Sequence, residues 1–222
     1  MDYQQHLPQI ERLKSKLTII RQKINDHDYS FSSDKYSQKN LMQILKSTYQ
    51  KHGFKLNPPV SLETLRAFEQ QAGISLPSEY GAFLHYMGNG GAGVGYGIYP
   101  LGTHLDTYID NGLNCLKVPS KLNSTFNQEL WSQEIIPYIF VEDLADQDYT
   151  TQDVIHEKRM VEYYSGLICI ATEGCGSCYA LIVSGSYYGK VIYAPFDYNI
   201  CPDFAEQADF LTWYETWLDI FL

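Results

Sequence analysis

Across residues 61–102 the apolar positions change period twice. Leu62, Leu65, Phe68 and Ala72 mark one face at helical spacing. Ser61 stands where a capping hydroxyl belongs, Glu63 carries a negative charge in the first turn, and Gly73 closes the run. Ile74, Leu76 and Pro77 make a short extended link. Tyr80, Phe83, Leu84 and Met87 then give the apolar face of a second helix, with Pro77 at its first position. Residues 88–95 read as a glycine-rich loop and 96–101 as a strand.

The same reading covers the rest of the chain. In residues 3–25, Ile10, Leu13, Leu17, Ile20 and Ile24 recur every three or four positions between Arg12, Lys14, Lys16, Arg21 and Lys23. This predicts a basic amphipathic helix that packs on the rest of the chain, with a partner or dimer contact as the alternative. Residues 25–37 are polar and read as a linker; 41–52 form a second helix ended by Gly53. Asn57, Pro58 and Pro59 break the chain, which places a helical extension at 1–57 and the main domain at 58–222. Further on, 106–116 reads as a helix weakened by Gly112, 131–141 as a short or edge strand limited by Pro137, and 142–157 as an exposed loop. Residues 167–172, 179–184 and 190–194 are three strands joined by turn residues, hence antiparallel. Residues 203–222 close the chain as an amphipathic helix carrying Phe204, Ala208, Leu211, Tyr214, Trp217, Leu218 and Phe221.

Charge divides the chain. Residues 1–55 carry ten Lys and Arg against five Asp and Glu, whereas 56–222 carry six against 21, within a net charge of -10. Such an acidic domain disfavours nucleic acid as a partner and attracts a cationic one, besides keeping the protein soluble. The 19 tyrosines suit half-buried strands and partner-binding surfaces. No apolar run approaches a membrane span and the first residues lack a secretory core, so a cytoplasmic protein without a membrane partner is expected. The five cysteines fit reduced thiols there.

Candidate chemistry is thin. Gly88, Gly90 and Gly93 satisfy GxGxxG, but a dinucleotide site needs that loop after a strand and before a helix, and here the order is reversed. Cys175 and Cys178 form a CxxC followed by strand-like residues. It reads as a tight turn with incidental thiols, with a metal or redox pair as the alternatives. Cys169, Cys201, His104 and His156 form no paired ligand motif with it. In 142–157, Glu142, Asp143, Asp146, Asp148, Asp153 and Glu157 occur without any Lys or Arg. The segment lacks the glycine and terminal glutamate of an EF-hand, leaving a solvated loop or a docking surface for a basic protein. No nucleophile, base and orienting acid are recognisable, and no catalytic residue, metal or cofactor is expected.

One constellation is more specific. Glu69, Gly73-Ile74-Ser75-Leu76-Pro77, Tyr80, Phe83, Leu84, Asn89-Gly90-Gly91 and Tyr96-Gly97-Ile98 open it. Gly166 to Ala171, Gly174-Cys175-Gly176, Gly189-Lys190-Val191, Phe210-Leu211 and Trp217-Leu218 close it. Together they resemble the SUKH superfamily, the Smi/Knr-type group of bacterial immunity proteins and eukaryotic relatives, over residues 58–222. The resemblance implies an α+β domain with a mostly antiparallel curved sheet and surrounding helices. It also implies a non-enzymatic role: binding and neutralising a cognate toxin, often a nuclease, by occlusion. A housekeeping interaction module of the same fold is the alternative, and an enzyme using the two thiols or a metal is the third. The family's shared residues look architectural, so the docking surface is sought among the six acids of 142–157.

Overall fold

The computed structural model describes residues 3–28, 37–103, 112–140, 149–174, 176–195 and 197–222. They form an α+β architecture in which an antiparallel sheet lies between two sets of helices. Strands β1 (Leu167–Gly174), β2 (Ser177–Ile182), β3 (Val191–Ala194) and β4 (Asp203–Phe204) neighbour one another in sequence order. Short turns permit only this antiparallel meander. β1 carries register shifts between Cys169 and Ala171 and between Thr172 and Gly174, which bend the strand locally.

Side-chain alternation sends neighbouring residues to opposite faces, and both faces are covered. On one, Ile168, Ile170, Leu181, Val183 and Val191 join the core formed by α1 (Leu7–Asn25), α2 (Gln38–His52), α3 (Leu62–Ala72), α4 (Ser78–Tyr86) and α8 (Phe210–Asp219). On the other, Cys169, Cys178, Ala180, Ile182 and Ile192 meet Trp131, Ile139, Met160 and Tyr164.

The basic N-terminal helix is part of this packing. Ile10, Leu13, Leu17 and Ile20 of α1 are buried. Its basic side meets α8: Arg12 donates through Nε and Nη2 to the two carboxylate oxygens of Glu215, at 2.6 and 2.7 Å. Lys16 reaches both Glu215, at 2.8 Å, and Asp219. Arg21 donates to the carbonyl of Phe54 and Lys23 to that of Leu222. Tyr3 is buried against Gly81 of α4, where a Cβ would stand 2.4 Å from the phenol oxygen.

The predicted helix pair and its start and stop signals are present. Ser61 accepts from the Thr64 amide, Gly73 is left-handed at φ 66°, and α4 follows. Pro77, however, is the residue before α4 rather than its first, with an extended ψ of 134°. The link between the helices is fixed by Glu69, whose carboxylate accepts from the Leu76 amide at 2.7 Å.

Several elements differ from expectation. Residues 96–101 form no strand: Ile98 makes single bridges to Gly91 and Ala171. Residues 128–139 are helical, as α5 (Gln128–Leu130), a π-helical stretch (Trp131–Ile135) and α6 (Ile136–Ile139). Trp131, Ile135 and Ile139, four residues apart, are all buried, and the widened turn precedes Pro137, whose ring would crowd an ordinary α turn. Part of the segment expected as an exposed loop is helical too: α7 runs Tyr149–Tyr164. Its anchoring residues Met160, Tyr163 and Tyr164 lie just beyond that segment. The closing helix starts at Phe210, where Asp209 accepts from the Thr212 amide; Asp203 and Phe204 are β4 instead. Of the expected helix over 106–116, positions 106–111 lie outside the described residues, and Gly112–Cys115 is a 3-10 turn.

Candidate functional site

The described residues of the sequence motifs that could have carried chemistry are engaged in packing. The GxGxxG loop meets the chain that links α2 to α3. The Ala92 amide donates to the Lys55 carbonyl, the Asn57 amide to Gly90, and Gly91 and Ile98 exchange both amides. A Cβ on Gly91, at φ 103°, would lie 2.4 Å from the Lys55 carbonyl oxygen. Glycine is required there because another backbone occupies the space a phosphate would need. Asn89 holds the exit of the loop by accepting from the Leu101 amide.

The CxxC has no helix start. Cys178 sits on β2, buried in the second core opposite Ala194, and Cys175 lies outside the described residues. Among the described residues no group of three or more His, Cys, Asp or Glu is placed to hold a metal ion. His52 accepts the Phe54 amide at Nδ1 and donates from Nε2 to the Gly93 carbonyl at 2.8 Å. Burial lowers its pKa, so the neutral ring is favoured, as this hydrogen-bond pattern demands. Tyr80 and Tyr214 are buried phenols whose ionisation is pushed far up by loss of solvation; Tyr214 donates to the Ala92 carbonyl. These groups build the fold.

Of the six acids singled out, Glu142, Asp143, Asp146 and Asp148 lie outside the described residues. Asp153 and Glu157 are exposed on α7, and a spacing of four puts them on one face. Further along α7 the one remaining acid, Glu162, has partners. Glu162 bonds to Lys121 and accepts from the Tyr138 hydroxyl, which hold its carboxyl below the ordinary range. Arg159 donates to the Tyr138 carbonyl at 2.7 Å and lies over its ring.

A second acidic surface was not expected. At the rim of the sheet face that α8 covers, Tyr179, Tyr193 and Asp203 are successive cross-strand partners on β2, β3 and β4. Strand spacing therefore sets them in one row across the sheet. Trp213, in the first turns of α8, stacks obliquely on Tyr179 at 5.4 Å, and Tyr193 lies 5.2 Å from Tyr179. Glu173 at the end of β1 accepts from the Tyr179 hydroxyl at 2.9 Å, and Glu206 joins from the segment before α8. These side chains line a concavity of about 660 Å³. Glu173, Asp203 and Glu206 are exposed, and no Lys, Arg or His among the described residues lines the groove. The signal in the sequence was slight: tyrosine replaces an aliphatic residue at the end of each inward-facing row of β2 and β3.

No described helix is long and apolar enough to cross a membrane. The model of the SMI1 / KNR4 family (SUKH-1) matches residues 59–215. No curated protein and no solved structure matches the chain.

Proposed function

The chain belongs to the SMI1 / KNR4 family (SUKH-1), and from that membership we propose that it is an immunity protein that binds a cognate toxin in the cytoplasm and neutralises it without catalysis. Family membership is the observation that carries the reading. The surface chemistry supports it: exposed acids stand on α7 and around the sheet groove, and the glycine-rich loop and Cys178 are taken up by packing. A toxin that acts on nucleic acid needs a basic surface for phosphate. An acidic binder complements that surface, speeds the encounter and covers the substrate groove. The acids Glu142, Asp143, Asp146 and Asp148, with Asp153 and Glu157 on α7, are the docking surface of this proposal.

The test is growth competition. A strain lacking the gene is expected to be lost when mixed with its toxin-producing parent and to grow normally alone. Survival in the mixture, or a defect in toxin-free culture, would contradict the immunity reading; the latter would favour a housekeeping module.

A further inference from the structure

The sheet groove has a chemistry narrower than general acidity. Its floor is aromatic, through Tyr179, Tyr193 and Trp213, and its margins carry Glu173, Asp203 and Glu206. None of these three carboxylates is in an ion pair among the described residues. They are also not gathered to share a metal ion. Separated carboxylates around a π surface suit an extended organic cation with donors in a plane. A guanidinium meets that description: it stacks on aromatic faces and presents paired N–H groups to carboxylates. A lysine ammonium is a compact, strongly hydrated charge that uses the aromatic floor less well.

The molecule already shows the carboxylate half of this recognition. On α8 itself, Arg12 forks onto Glu215 through two hydrogen bonds. Around the groove the nearby cations are otherwise engaged: Lys190 donates to the Gln207 carbonyl at 3.2 Å, and Lys51 lies over the Tyr96 ring at 4.4 Å.

We infer that the groove formed by Glu173, Tyr179, Tyr193, Asp203, Glu206 and Trp213 is an arginine-binding site, filled by an arginine side chain that a basic protein partner presents. The identification of that partner as a toxin rests on the immunity reading; the arginine preference does not.

The experiment titrates the full chain with end-blocked hexa-arginine and hexa-lysine peptides, by calorimetry and by two-dimensional NMR. Hexa-arginine is expected to bind at least about fivefold more tightly than hexa-lysine. Its shifts should centre on Tyr179, Tyr193 and the Trp213 indole. The E173Q/E206Q variant should weaken hexa-arginine about tenfold. Tyr193→Leu, which removes an aromatic face and no charge, should erase most of the arginine preference. Urea unfolding of each variant verifies that the fold is kept; the three substituted positions are all at least partly exposed.

Equal affinity for the two peptides, shifts centred on α7, or E173Q/E206Q binding like the parent would overturn the site. Growth competition decides the immunity reading separately. Protection without arginine preference removes the groove proposal alone, and arginine preference without protection removes the immunity reading alone.

Discussion

Two acidic regions meet around α8, and they stand in opposite states. On one side Glu215 and Asp219 receive Arg12 and Lys16 from α1, beside a buried stripe of Ile10, Leu13, Leu17 and Ile20. On the other, Glu173, Asp203 and Glu206 surround aromatic rings with no cation in an ion pair among the described residues. The chain thus supplies its own basic helix to one acidic surface and leaves the other open. Charge in the first region serves the fold. In the second it costs some self-repulsion and returns no ion pair within the described residues, only the hydrogen bond from Tyr179 to Glu173, which is the pattern of a surface kept for a partner.

The largest expected effect breaks the first region. Leu17→Ala removes a fully buried side chain from the α1 stripe and should lower unfolding free energy by about 2–5 kcal/mol in urea titration. Glu206→Ala at the groove should change it by less than about 0.5 kcal/mol. Equal effects would abolish the distinction. Gly91→Ala comes next, because its Cβ would strike the Lys55 carbonyl from a left-handed backbone. A loss of about 2–3 kcal/mol is expected, and a neutral result would mean that the glycine loop is not held by the α2–α3 link.

Acid titration sharpens the comparison. The Arg12 hydrogen bonds, with those from Lys16 and Gln9, lower the Glu215 carboxyl from 4.5 to about 2 in the fold. The unfolded chain therefore takes up this proton first. The contribution of Glu215 is fully present above about pH 5 and is lost as pH falls through about 2. Glu215→Gln should cost about 1–2 kcal/mol at neutral pH, allowing for screening of the half-exposed Arg12, and should flatten the acid limb of the stability profile. An unchanged acid limb would mean that the pair is not formed in solution. The smallest effect is on α7. D153N/E157Q should leave stability within about 0.5 kcal/mol while slowing association with a basic partner at low salt. An unchanged association rate would remove these two acids from the docking surface.

What was legible in the sequence depended on how local its cause was. Ser61, Gly73 and the apolar face between them act within one helix, and the three strand-forming runs are bounded by their own turn residues, so both were readable. Two elements were misread for different reasons, one through a single proline and one through an assumed boundary. Trp131, Ile135 and Ile139 have helical spacing, yet Pro137 drew the reading toward a strand. The acids before Glu157 dominated a segment whose anchors, Met160, Tyr163 and Tyr164, follow it. The groove was least accessible. Glu173, Tyr179, Tyr193, Asp203 and Trp213 come from four strands and a helix, and only strand register and helix docking bring them together.

The central claim is that acids of the 142–157 segment meet a basic toxin. Its most direct test is the affinity of the purified protein for its cognate toxin across a salt series, for the parent and for a variant neutralised at Asp143, Asp146, Asp148 and Asp153. The account expects affinity to fall steeply with salt in the parent, and to be weaker and flatter in the variant. Affinity indifferent both to salt and to the four substitutions would contradict it.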